Sequence, residues 1–284
     1  MNKILLSLSV LVFLICLQVP AAAQSTGVGP AKGWLILHGG SMKQEWEAEH
    51  RLAALVGSPD APVVVILTPV DLEILTPGFL THYKNWWKSE LGLTNVTFMD
   101  TRTREEADTE AFVAPLRSAK GVWIMGGHLT NLLDVYLGTR TEREIKAVAD
   151  RGGVVAGSSA GAMIQGSFLI NLTKSPSQLH FSRNGMYLDP TRMMGFGLLR
   201  NVTVYPHLAP RHSEKDVVEV LQRYPDLLGI GIDENTAAVV HDDQFEVIGE
   251  GRVVIFEYKN GSAKKYRILI KGQKFDLKTR TIIN

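Results

Sequence analysis

Short apolar runs alternate with amphipathic stretches of ten or more residues through most of this chain, and that alternation leaves few folds open. Trp34–His38, Val63–Leu67, Val96–Met99 and Val122–Met125 are strand-length and largely apolar, whereas Glu45–Leu55, Phe79–Leu91, Glu105–Leu116 and Leu129–Asp150 carry helical spacing. A strand covered on both faces shows no polar alternation, and parallel neighbours need a crossover long enough to hold a helix. The pattern predicts a three-layer α/β/α architecture with a mainly parallel sheet. From about residue 237 the character changes. Ala237–Val240, Gln244–Ile248, Val253–Glu257 and Tyr266–Ile270 read as strands joined by short polar turns, an antiparallel β extension that completes the sheet edge or packs against it.

Residues 1–23 stand apart. Asn2-Lys3, the apolar run Ile4–Val19 and Ala21-Ala22-Ala23 have the three-part layout of a secretory signal peptide. The expectation is therefore a single domain over 24–284, secreted or periplasmic, with no membrane association after cleavage. The only cysteine, Cys16, falls inside the apolar run. Beyond it the chain has no means of forming a disulfide, a thiolate metal site or a cysteine nucleophile. Thirty basic residues against 29 acidic ones give no basic excess, which argues against a nucleic-acid or membrane-surface partner. The histidines lack short ligand spacing, so neither a metal nor a cofactor is expected.

The stretch Gly153–Ala162 carries the chemistry. It reads as a buried strand turning through small residues into a helix, with the G-x-S-x-G pattern at Gly157, Ser159 and Gly161. A hydroxyl at such a bend sits beside the free N–H groups of a helix start, and acyl transfer needs both a nucleophile and donors for the oxyanion. A serine also needs a base. In open parallel sheets ligands gather beyond the carboxyl ends of strands, which favours His207, His128 and His38 over the other histidines. His207 has the strongest claim. It follows the apolar run Val202–Val204, and Asp233-Glu234 follows the next run, Leu228–Ile232, where a carboxylate is placed to hold the imidazole in one tautomer.

Taken together, Gly157-Ser-Ser-Ala-Gly-Ala162, Gly126-Gly127, His207 with Arg211, and Asp226–Ala237 (DLLGIGIDENTA) resemble the S51 serine peptidases, cyanophycinase and dipeptidase E. The resemblance runs from about Gly33 to Val254. It implies a class I glutamine-amidotransferase-like, flavodoxin-like fold. It also implies Ser159 as nucleophile, His207 as general base, Glu234 as its orienting partner, and the N–H groups of Gly127 and Ala160 as oxyanion hole. Two positions depart from the cyanophycinase branch. His128-Leu129 stands where that branch carries Asp-Gln, and Tyr205-Pro206-His207-Leu208 where it carries Asp-Gln-His-Phe. Substrate binding is then expected to involve His128 and Arg211. The expected substrate is a small peptide cut at an aspartyl residue, and dimers among the family make a homodimer the expected assembly.

Two rivals fit parts of the pattern. An α/β-hydrolase esterase shares G-x-S-x-G, but its order is serine, acid, histidine; here that requires Asp226 or Asp233 before His241. A catalytically inactive binding protein on the same fold is the other. Glutamine amidotransferases share the fold but need a cysteine nucleophile.

Overall fold

The computed structural model describes residues 27–41, 46–170, 172–173, 187–189, 191–211 and 214–283. The segment read as a signal peptide, with Cys16, lies outside them, as do His180, the His212-Ser213 pair and the side chain of Arg211. The parallel half runs β1 (Trp34–His38), α1 (Glu47–Val56), β2 (Val63–Ile66), α2 (Pro77–Ser89), β3 (Val96–Met99), α3 (Arg104–Ala107), α4 (Glu110–Ser118), β4 (Gly121–Ile124), α5 (Leu129–Tyr136), α6 (Arg140–Asp150), β5 (Val154–Ser158) and α7 (Ala160–Met163). Then come β6 (Gly166–Phe168), β7 (Leu172–Thr173), β8 (Tyr187–Leu188), β9 (Leu199–Pro206), α8 (Leu208–Arg211), α9 (Glu214–Arg223) and β10 (Leu228–Ile232). The last elements are β11 (Thr236–His241), β12 (Gln244–Gly249), β13 (Val253–Lys259), β14 (Ser262–Leu269), β15 (Lys274–Asp276) and β16 (Thr281–Ile283).

The larger sheet has the order β16-β15-β12-β11-β1-β5-β4-β2-β3. Its five strands from β1 to β3 are parallel, and β11 and β12 extend it antiparallel beyond β1, as the sequence pattern predicts. β15 and β16 continue that edge, while the expected strands at 253–257 and 266–270 pair in a second sheet. The period of two sorts its side chains between two cores. Ile36, Val63, Val65, Trp123, Val154 and Ala156 face α1 and α2, with Leu52 and Trp87. Leu35, Leu37, Val64, Ile66, Val122, Ile124 and Val155 face the other way, toward Leu116, Leu132, Ile145 and Val148 of α4–α6.

Two helical stretches are each divided. Thr109 breaks the first, its hydroxyl accepting the Phe112 N–H as an N-cap. Gly138, at φ 79°, turns the second between α5 and α6. An amphipathic stripe continues across both breaks, so spacing alone joins what local capping separates.

The larger departure is a second sheet, β14-β13-β10-β9-β6, which covers part of one face where the three-layer expectation puts helices. Leu228, Ile230 and Ile232 of β10 point into the shared core with Val202, Val204, Val253 and Ile255. The intervening Gly229 and Gly231 leave the opposite face bare. Side chains there would stand 2.6 Å from Val217 of α9 and 2.7 Å from Leu208 of α8. The alternation Leu-Gly-Ile-Gly-Ile thus lets one strand press on the main sheet while helices close in behind it.

Candidate active site

Ser159 sits where β5 ends, between β1 and β4 of the parallel sheet. The bend is tight because its two flanking glycines have no side chains. A Cβ on Gly157 would lie 2.3 Å from the Gly161 carbonyl oxygen, and one on Gly161 would lie 2.1 Å from that of Ile124. Ser159 itself adopts φ 53° and ψ −114°, a conformation that costs a non-glycine residue on the order of 1–3 kcal/mol. Its N–H donates to the His38 carbonyl at 3.0 Å, which anchors the turn to β1.

The second sheet delivers the partners. β9 and β10 are parallel, with Pro206 in register with Ile232, so the residues after them emerge side by side. His207 Nε2 lies 2.8 Å from Ser159 Oγ, and His207 Nδ1 lies 2.7 Å from Glu234 Oε1. With the Nδ1–H donated to Glu234, Nε2 is left to accept the serine proton. His207 and Asn235 also have positive φ, 55° and 53°, so strain gathers at all three strand ends. The loop after β1 ties them together: the Gly39 carbonyl accepts the His207 N–H at 2.9 Å, and the Gly40 carbonyl accepts that of Asn235 at 3.0 Å.

Asp233, the alternative carboxylate, is engaged elsewhere. It accepts from the Ala209 N–H at 3.1 Å and from Arg252 Nε at 2.7 Å, pinning the start of α8 to the loop before β13. Gly126 lies against Ser159, since a Cβ there would stand 3.2 Å from the serine Cβ. The N–H groups of Gly127 and Ala160 find no acceptor among the described residues. An oxyanion hole needs backbone donors of this kind, not already committed to another acceptor.

The remaining candidates separate. His38 is buried, with Nδ1 3.1 Å from Ser158 Oγ; burial, and then the charge of His207, lowers its pKa from 6.5 to about 4. Its side chain bonds Ser158 while its carbonyl accepts the Ser159 N–H, so it supports the bend without approaching the role of base. His128 stands at the N-cap position of α5 without a side-chain cap, and its Nε2 instead meets Asp71 Oδ1 at 2.9 Å with both side chains mostly exposed. Tyr205 turns into the core and bonds Asp216 at 2.9 Å. Arg211 ends α8, one turn beyond His207. His241 lies at the far end of β1, paired with Trp34 and stacked on its ring at 4.1 Å. The esterase arrangement fails on that distance, because β1 runs its whole length between His241 and the strand ends that carry Ser159.

Asp71 and Arg102 belong to the site's surroundings and escaped the sequence reading. Arg102 follows the carboxyl end of β3, so the strand-end rule that selected the histidines had the signal to find it. Among the described residues no group of three or more histidine, cysteine or acidic side chains is gathered for a metal. No described helix is long and apolar enough to cross a membrane.

Residues 35–248 match the sequence model of peptidase family S51. The cyanophycinase of Nostoc sp. (strain PCC 7120 / SAG 25.82 / UTEX 2576) is 32% identical over 176 residues, 59% of this chain and 55% of that protein. The cyanophycinase of Geminocystis herdmanii (strain PCC 6308) is 30% identical over 180 residues, 63% of each. The chain thus spans little more than half the length of the first of these relatives. Among solved structures, a peptidase from an acI-B1 Actinobacterium superposes with a TM-score of 0.64 at 25% identity, covering 87% of this chain and 98% of that one.

Proposed function

Because the chain belongs to peptidase family S51, we propose that it is a serine peptidase cleaving amide bonds at aspartyl residues, β- or α-linked, of small peptides. The observation that carries this reading is the continuous relay from Ser159 through His207 to Glu234, at 2.8 and 2.7 Å. His207 Nε2 takes the hydroxyl proton as Ser159 Oγ attacks the amide carbonyl carbon. The oxyanion is received by the Gly127 and Ala160 N–H groups. The imidazolium, stabilised by Glu234, then protonates the departing amine as the C–N bond breaks. Water, deprotonated by the same imidazole, releases the acid from the acyl-enzyme.

The aspartyl preference draws on the likeness to cyanophycinases. In this reading His128 at the rim and Arg211 beyond the base take the substrate's polar ends, Arg211 by pairing a carboxylate through its planar fork. Residues 1–23 are removed on export, and the mature enzyme, a homodimer, works outside the cytoplasm.

Ser159→Ala tests the proposal. The variant is expected to fold normally and to lose hydrolysis by on the order of 10⁴-fold or more. Wild-type protein is screened against β-aspartyl-arginine, other β-aspartyl dipeptides and α-aspartyl dipeptides. Unchanged turnover in the variant refutes the nucleophile, and a wild-type Ser159 that no fluorophosphonate labels leaves only a binding protein.

A further inference from the structure

We infer that Arg102 is a positioning residue for the oxyanion donors, acting through the carbonyl of Pro69; the inference rests on the serine-peptidase reading above. Pro69 lies in the loop after β2 and meets the Gly127 turn directly. Its carbonyl oxygen accepts the His128 N–H at 2.8 Å. It also stands 2.2 Å from where a Gly127 Cβ would be, and Gly127 holds φ 133°. The Gly127–His128 peptide is therefore anchored through its N–H on that oxygen, and the Gly127 N–H, on the preceding peptide, is oriented relative to it through a Cα held at φ 133° against Pro69.

Arg102 fixes it from both sides. Nη1 donates to the Thr68 carbonyl at 2.8 Å and Nη2 to the Val70 carbonyl at 2.9 Å, so one planar fork grips the residues flanking Pro69. Only arginine has two donors in that fixed geometry. Nη2 is also 3.1 Å from Asp100 Oδ1, close enough for attraction, yet Oδ1 makes no aligned hydrogen bond. The fork is thus spent on the carbonyls. Nε is buried without a partner, a cost the arrangement tolerates. Asn131 Nδ2 reaches the same Thr68 carbonyl at 3.3 Å, and the Thr68 hydroxyl meets Tyr136 at 2.5 Å, which leaves the platform little freedom.

The test reads the rate at which a fluorophosphonate labels Ser159, a reaction that builds an oxyanion and needs no known substrate. Arg102→Met is expected to slow labelling by on the order of 10- to 100-fold, the scale of a slightly misplaced donor. Arg102→Lys, which has a single ammonium nitrogen in place of the two-nitrogen fork, should fall between Arg102→Met and wild type. Because His207 and Glu234 are untouched, the pH dependence of labelling should keep its wild-type midpoint. Wild-type rates in folded Arg102→Met overturn the inference, as does a slowed rate with a displaced midpoint, which would place the damage at the base. If Arg102→Met does not fold, Arg102→Lys is judged by the same criteria. Failure of both to fold also overturns it, by making Arg102 a support of the whole fold. Absence of labelling in the wild type strikes the serine-peptidase reading instead.

Discussion

Glu49→Gln should make this protein more stable at alkaline pH while leaving it nearly unchanged in acid. Glu49 lies in the first turn of α1, where the helix dipole favours a negative charge. Yet it is only 2% exposed, Oε1 has no partner, and the carboxyl borders a cavity of about 30 Å³ shared with His38 and Asn235. Burial wins. It raises the pKa from 4.5 to about 7, against a smaller lowering by a backbone hydrogen bond. The folded chain then holds this proton more tightly than the unfolded chain does. Its contribution to stability is complete below about pH 4.5 and is lost as pH rises through about 7. At about 1.4 kcal/mol per pH unit, the loss is about 3 kcal/mol. Glutamine keeps the shape of the neutral acid and does not titrate. Thermal unfolding followed by circular dichroism should therefore show the variant gaining roughly 6–12 °C on wild type at pH 8 compared with pH 4.5. His38 runs the opposite way: its lowered pKa makes its contribution complete above about pH 6.5 and lost toward pH 4. Wild type should consequently be nearly flat between those limits, and Glu49→Gln should expose a stability that climbs with pH. An equal difference in melting temperature at pH 4.5 and pH 8 would refute the argument.

Two further substitutions probe the relay. Gly40→Ala places a methyl group 2.2–2.9 Å from three atoms of the His207 ring, at a residue with φ 92°, so the imidazole must leave both its partners. A loss of kcat of at least about 10³-fold is expected, with fluorophosphonate labelling falling in parallel; wild-type labelling would show that the ring has room to move. Glu234→Gln presents an amide that can donate where Nδ1–H now donates, favouring the wrong tautomer. Its kcat should drop on the order of 10³- to 10⁴-fold with KM little changed, and steady-state kinetics that show a KM effect alone would contradict the orienting role.

Much of the parallel half was legible in the chain itself. Runs such as Val63–Ile66 and Val154–Ser158 are buried along their whole length, and continuous apolarity is what burial on both faces requires. The bend at Ser159 was legible for a similarly local reason, since only glycine at 157 and 161 allows strand and helix backbones to approach so closely. The breaks at Thr109 and Gly138 were hidden, because an apolar stripe can continue in phase across a cap.

What no local pattern specifies is the neighbour a buried strand takes. Val202–Val204 and Leu228–Ile232 read as apolar runs in either sheet, and only packing assigns their strands to the second. That assignment brings His207 to a serine 48 residues earlier and Glu234 to a histidine 27 residues earlier. The clasp of Arg102 on the carbonyls beside Pro69 depends likewise on how the loops after β2 and β3 meet. By itself the sequence determined which residues could carry the chemistry and which segments must be buried, because both follow from side-chain type and spacing. The tertiary structure alone decided their meeting. Apolar burial is indifferent to partner, and hydrogen-bond geometry exists only once the two sheets are stacked.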